Sequence, residues 1–191
     1  MNKVFWDMEF TGLHQRTTLM SIGLVDAFGD TFYAELTDYD QTQINDWLRE
    51  NVLANFTLGD QPEGQVVVVQ DELSLCKATT LRGTRAQVKA ALTAWLSNEE
   101  TRKGKVQMWS DCLAYDWVLF NDLLADYTNG YPQLPEIVHY IPMDICPLFE
   151  LKAIDPDINR EQYCEFGPTA AKHNALHDAR VIQRCYYKLT D

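Results

Sequence analysis

Positive charge is what this 191-residue sequence most lacks: 16 lysines and arginines stand against 28 aspartates and glutamates, a net charge of -12. With a sequence pI of about 4.6, the chain is not equipped to grip long nucleic acid by its phosphates, which takes a basic surface. The same balance is compatible with a phosphate-handling site whose positive charge comes from metal ions. Cysteines are few and widely spaced (Cys76, Cys112, Cys146, Cys164 and Cys185) and make no C-x-x-C pair. Neither a disulfide framework nor a zinc ribbon is expected, and a reducing, cytoplasmic setting is. No apolar run reaches membrane-spanning length. Asp7 and Glu9 also interrupt what would be the apolar core of a signal peptide. Repeats, low-complexity tracts and interdomain linkers are missing too. What is present, 46% hydrophobic and 23% charged residues, is ordinary globular composition. Its length suits one domain over 1–191 with a substantial core.

The stretch Phe5-Trp6-Asp7-Met8-Glu9-Phe10-Thr11-Gly12-Leu13 sets two carboxylates two positions apart in an aromatic run. On a strand such residues share a face. Asp7 and Glu9 then repel and raise one another's pKa unless a cation lies between them. Read alone, the segment is equally well an edge strand showing two acids to water.

Residues 3–10 read as a first strand ended by Thr11-Gly12, 18–27 as a central strand, and Thr31–Leu36 as its antiparallel partner after the Phe28-Gly29-Asp30 turn. Asp40-Gln41-Thr42-Gln43 is a capping box, followed at helical spacing by Ile44, Trp47 and Leu48. Residues 56–83 hold a loop at 59–64 and an extra strand at 65–70, read as an insertion near a substrate entry. Thr84-Arg85-Ala86-Gln87 is a second capping box, ahead of the stripe Val88, Ala91, Leu92, Trp95 and Leu96. A charged loop at 98–104 leads to a strand at 105–110. A helix at 115–127 then carries Tyr115, Val118, Leu119, Leu123 and Tyr127 as its stripe. After a loop with Gly130, Pro132 and Pro135 come a strand at 138–145, with Asp144 near its end, and a short helix at 147–152. The Asp155-Pro156-Asp157 break precedes a last helix at 175–189 that buries Ala175, Ala179, Ile182, Tyr186 and Leu189. Three strands followed by alternating strands and helices predict a mixed α/β sheet flanked by helices.

Two further segments carry chemistry. Asn174 is a good N-cap, so the last helix starts just after His173 and leaves that imidazole in the loop, while Asp178 projects from the second turn. A movable imidazole above a fixed carboxylate suits a base beside a metal ligand. Asp116 opens the helix after the 105–110 strand, where the helix dipole alone accounts for an acid. Asp111 in the same connection competes with it for any functional role.

Together, D-x-E-x-T-G at 7–12, the Tyr115-Asp116 pair opening a helix, and H-x-A-L-x-D-A at 173–179 resemble the motifs of the DEDDh 3′–5′ exonuclease family, in order and in spacing. The sequence is most similar to small exoribonucleases of the RNase AS type, which share a domain family with phage exonuclease A. F-x-D-x-E-F close to the N-terminus, W-x-x-x-x-A-Y-D and H-x-A-L-x-D-A-R carry that similarity. D-M-E-x-T-G-L is also similar to oligoribonuclease. The resemblance implies an RNase H-like fold and two divalent cations, Mg²⁺ or Mn²⁺, held by Asp7, Glu9, Asp116 and Asp178, with His173 as general base. Asn174 stands where the tyrosine variant of these enzymes would carry its tyrosine. Hard oxygen ligands suit Mg²⁺ or Mn²⁺ on chemical grounds as well. Phe10, Thr11, Gly12 and Leu13, directly after Glu9, are the expected seat of the 3′-terminal nucleotide. The expected activity is release of nucleoside 5′-monophosphates from 3′ ends of single-stranded nucleic acid, RNA or short oligoribonucleotides favoured. Single-stranded DNA is the competing substrate, and a catalytically silent nucleotide-binding domain the alternative of another class. No membrane partner is expected, and relatives such as oligoribonuclease bring a homodimer into consideration.

Other residues carry plainer expectations. Asp144 caps the helix beyond it, His177 faces solvent, Trp47 and Trp95 belong to the core, and Asp38, Asp40 and Asp60 form a solvated surface. A zinc site from Cys164, His173, His177 and Cys185 matches no familiar spacing.

Overall fold

Strict alternation along the first strand, β1 (Asn2–Phe10), sends Val4, Trp6 and Met8 to one face of a sheet and Phe5, Asp7 and Glu9 to the other. A computed structural model describes the chain at residues 2–98, 104–126, 133–166 and 172–191. β1 pairs antiparallel with β2 (Leu19–Asp26), which pairs antiparallel with β3 (Thr31–Leu36). β2 and β3 are buried throughout, as strands covered on both faces must be. β4 (Val66–Gln70) and β5 (Lys77–Gly83) form a hairpin whose β5 lies parallel to β3. On the other side, β6 (Val106–Ser110) and β7 (Met143–Asp144) extend the sheet parallel to β1. The seven-stranded order is β4-β5-β3-β2-β1-β6-β7. This mixed sheet, begun by an antiparallel meander and flanked by helices, agrees with the RNase H-like architecture.

The helices cover both faces. α1 (Asp46–Asn51) is a short helix beside the sheet. α2 (Arg85–Leu96) and α3 (Ala114–Leu124) pack Val88, Leu92, Leu119 and Phe120 against Val4, Trp6 and Met8. α4 (Cys146–Leu151), α5 (Arg160–Cys164) and α6 (Ala175–Thr190) gather Phe149, Cys164, Ile182 and Tyr186 around Phe5, Val25 and Trp109. α6 crosses β1 and β2 closely because β2 carries Gly23. A Cβ there would stand 2.2 Å from Leu176 N and 2.3 Å from Ala175 C. Gly23 faces Asp7 in the β1–β2 register, so this close approach brings the start of α6 over the acidic pair.

Several expectations change. The Asp40 box closes a single 3₁₀ turn (Gln41–Gln43), and Asn45 caps a separate helix, α1, by accepting from Leu48 N. This break turns Leu48 inward and leaves Trp47 53% exposed, outside the core. The strand expected at 138–145 shrinks to Met143–Asp144 plus one bridge from Val138 to Val106. Pro142 has no N–H to donate, and the Ile141 N–H is taken by the His139 ring. In α3 the buried set is Asp116, Leu119, Phe120, Leu123 and Leu124, while Val118 is exposed. Tyr127, Gly130, Pro132 and residues 99–103 of the charged loop lie outside the described residues. The β4–β5 hairpin forms the far edge of the sheet, with three strands between it and β6. α5 is an element the sequence reading did not contain.

Candidate active site

β1 and β6 pair from Asn2↔Val106 as far as Phe5↔Trp109, so the Met8 N–H, farther along that edge of β1, has no strand partner there. Asp116, in the first turn of α3, fills the gap: its Oδ1 accepts from Met8 N at 3.1 Å. The acid that the helix dipole explained is thus also drawn between Asp7 and Glu9, and it is buried. Asp111 takes another path. Its carboxylate forms a two-pronged pair with Arg160, Nε–Oδ2 2.7 Å and Nη2–Oδ1 3.0 Å, and accepts from Cys146 Sγ. Its charge is already met.

From α6, Asp178 Oδ2 accepts the His173 backbone N–H at 3.0 Å. Asn174 caps α6 as expected, accepting from His177 N. His173 stands outside the helix with φ +66°, a left-handed conformation for a non-glycine residue. Its Nδ1 lies 3.9 Å from Glu9 Oε1. Glu9, His173 and Asp178 each offer one donor atom, all within 4.8 Å of one another. A cleft of about 490 Å³ opens here, lined by Asp7, Asp111, Arg160, Lys172, His173 and Asp178.

Burial raises all four acids, and Asp7 and Glu9 are raised further by others of the four. Asp7 is raised well above the usual carboxylate range, by burial first and then by Asp116, Asp178 and Glu9. Burial, then Asp178 and Asp116, push Glu9 up to about 8. Asp116 rises to about 7, burial outweighing the N–H bonds it accepts. Asp178 rises to about 6, again mainly by burial. Among the described residues no lysine or arginine forms an ion pair with any of the four. Carboxylates that are half-buried (Asp7, Glu9, Asp178) or buried (Asp116), without a lysine or arginine partner among the described residues and all offering hard oxygen, fit divalent cations of the Mg²⁺ or Mn²⁺ kind. Burial and Lys172 lower His173 below its ordinary value, which favours the neutral imidazole.

Phe10 stacks on Tyr115 with ring centroids 5.8 Å apart. Thr11 is buried, and its hydroxyl accepts from Thr18 N and meets Gln43 Oε1. Gly12 N donates to Thr17 Oγ1. Leu13 is 76% exposed. The loop is therefore tied from within and projects Leu13 outward. Beside it a hollow of about 770 Å³ is lined by His14, Thr17, Tyr115, Val118, Asn121 and Leu134, among others.

Two neighbours stand elsewhere than the sequence suggests. Trp47 lies edge-on to His173, ring centroids 5.2 Å apart. His177, expected in solvent, is buried, with Nε2 2.8 Å from Glu161 Oε1 on α5 and its ring near Phe166. A helix outside the sequence reading covers it. Asp144, by contrast, accepts from Cys146 N at the start of α4, as expected. Asp111, Cys112 and Cys146 form a second close cluster, with Sγ atoms 3.4 Å apart. Cys164, His173, His177 and Cys185 do not form such a cluster among the described residues.

A family model described as "3'-5' exoribonuclease Rv2179c-like domain" matches residues 2–189. Among curated proteins the chain is similar to "3'-5' exoribonuclease Rv2179c" of Mycobacterium tuberculosis strain ATCC 25618 / H37Rv, 25% identical over 190 residues. That match covers 98% of this chain and 93% of the relative. "3'-5' exoribonuclease MT2234.1" of strain CDC 1551 / Oshkosh matches with the same figures.

Proposed function

The chain belongs to the Rv2179c-like 3′–5′ exoribonuclease family, and we propose that it acts, as one domain over 1–191, on the 3′ ends of RNA or short oligoribonucleotides and releases nucleoside 5′-monophosphates. The observation that carries this reading is the crowding of Asp7, Glu9, Asp116 and Asp178 around one point with His173 beside them. Metal dependence goes with such a family in general. Here Asp7, Glu9, Asp116 and Asp178 would hold two divalent cations, which would supply Lewis-acid stabilisation of the charge that develops during phosphoryl displacement.

The chain's own residues do the rest. His173, kept neutral by burial, accepts the proton of the attacking water on a ring nitrogen. Its place in a loop outside α6 sets the ring between Glu9 and the cleft. Asp178 holds the His173 backbone N–H, so the base and one ligand are fixed to each other. Leu13 and Phe10 offer apolar surface to the terminal base, on a loop that Thr11 braces. The hollow beginning at Tyr115 receives the preceding nucleotides. Scarce basic surface favours short chains and free ends over long duplexes.

Matched end-labelled RNA and DNA of one sequence, incubated with Mg²⁺ or Mn²⁺, test the substrate. RNA is expected to shorten from its 3′ end faster than DNA. Equal rates would remove the RNA preference and leave a general single-strand exonuclease.

A further inference from the structure

Tyr33 and Glu35 lie on β3, two residues apart and facing the α6 side of the sheet. Through the strand registers, Asp7 sits across from Gly23 and Gly23 from Tyr33, while Glu9 sits across from Ser21 and Ser21 from Glu35. Two rows thus run from the site acids to a second, deeper polar pair. Both deep residues are nearly inaccessible, Tyr33 2% and Glu35 3% exposed. A buried carboxylate needs strong donors. Glu35 Oε1 accepts from Tyr33 Oη at 2.9 Å, Thr57 N at 2.6 Å and Leu58 N at 3.1 Å.

These bonds lead to His173. Asn174 Nδ2 donates to Tyr33 Oη at 3.1 Å and to Asn55 O at 3.0 Å, while Asn174 Oδ1 caps α6. Asn55 Nδ2 donates to Lys172 O at 2.7 Å. The residues on both sides of His173 are therefore fastened to the 55–58 segment and to Tyr33, and Glu35 fastens those two to each other. A non-glycine residue at φ +66° does not hold that conformation by itself. The clamp at Lys172 and Asn174 supplies what the backbone of His173 lacks.

We propose that Glu35 is a positioning residue, holding the His173 loop over Glu9 and Asp178 through Tyr33, Asn174 and the 55–58 segment. It rests on the exonuclease reading for its catalytic consequence and on the hydrogen bonds alone for its structural one. Glu35 touches neither substrate nor reacting atoms. Its removal misplaces the base.

The test uses Glu35→Gln and Tyr33→Phe in the full chain, the second removing a single hydroxyl from a ring that stays packed. Steady-state hydrolysis of a short oligoribonucleotide with Mn²⁺ is expected to show kcat reduced roughly 10- to 100-fold with little change in KM. In the His173→Ala background, Glu35→Gln is expected to add no further loss, because the residue acts through that imidazole. In the metal-free protein the His173 imidazole proton resonance, one of four histidines and identified by its loss in His173→Ala, is expected to move in both variants. Wild-type kcat with an unmoved resonance, or losses that add in full to His173→Ala, would overturn the proposal. If the wild-type chain leaves RNA intact, the exonuclease reading fails by itself, and the metal-free resonance still decides whether Glu35 positions His173.

Discussion

Asp111, in the connection after β6, and Asp116, in the first turn of α3, are five residues apart yet face different partners. Arg160 neutralises Asp111, while Asp116 accepts only backbone N–H groups, its own and that of Met8, and is raised by neighbouring acids. Spacing alone left this choice open, because what separates them is a guanidinium from α5, 49 positions away in sequence. Asp116→Asn is expected to lower exonuclease rate by roughly 10²–10³-fold, as loss of an electrostatic stabiliser does. Asp111→Asn is expected to retain most activity; parallel rate measurements check both. His173→Ala is expected to cost about 10²–10⁴-fold, the range for a positioned base. Survival of full activity in either Asp116→Asn or His173→Ala would remove that residue from the mechanism. His177 teaches the converse. Its burial depends on Glu161 and Phe166, partners that no local pattern announces.

Among elements, α6 was the most legible: its cap at Asn174 and its stripe of Ala175, Ala179, Ile182, Tyr186 and Leu189 follow from 3.6-residue periodicity, and all five are buried, joined by His177, Val181 and Cys185. The β1–β2–β3 meander was equally plain, because alternation and the Phe28-Gly29-Asp30 turn are local signals. α1 and the 138–145 stretch were not. There Asn45 and Pro142 interrupt an apolar pattern, and a single capping residue or a missing N–H outweighs periodicity. Nor does the sequence announce that Gly23 is the seat of α6. The closeness of Leu176 N and Ala175 C leaves no room for a methyl group. Gly23→Ala is expected to cost about 1–3 kcal/mol by overpacking and to shift Asp178 relative to Asp7. Thermal unfolding, read together with Mn²⁺ affinity, checks this. An unchanged melting temperature and affinity would mean that α6 is free to move away from β2 at no cost.

For the whole molecule, the site is a store of unfavourable charge. Glu9, Asp116 and Asp178 carry folded pKa values of about 8, 7 and 6, above the roughly 4 of an unfolded carboxylate. The folded state therefore binds more protons than the unfolded one across this interval. Stability that is present at about pH 4 is lost as pH rises through those values toward 8. Asp40, Asp71 and Glu165, whose pKa values are lowered, act in the opposite direction but finish titrating below this window. The metal-free protein is expected to melt at falling temperature from pH 5 to pH 8, with a shallower fall in Glu9→Gln. Mn²⁺ should raise the melting temperature more at pH 8 than at pH 5. A flat profile, or no response to metal at saturation, would contradict the carboxylate cage. The net charge of -12 was readable at once, but the meeting of Asp7, Glu9, Asp116 and Asp178 needed the sheet register and the packing of α3 and α6.

The central claim is that these carboxylates and His173 form a metal-dependent 3′–5′ ribonuclease. It is met most directly by following a 5′-end-labelled oligoribonucleotide with a free 3′-hydroxyl through time, with Mn²⁺ and with chelator, using wild-type protein and Asp178→Asn. The account predicts stepwise shortening from the 3′ end with nucleoside 5′-monophosphate as product, stopped by chelation and by the substitution. Cleavage that begins internally, persists in chelator or survives Asp178→Asn would contradict it.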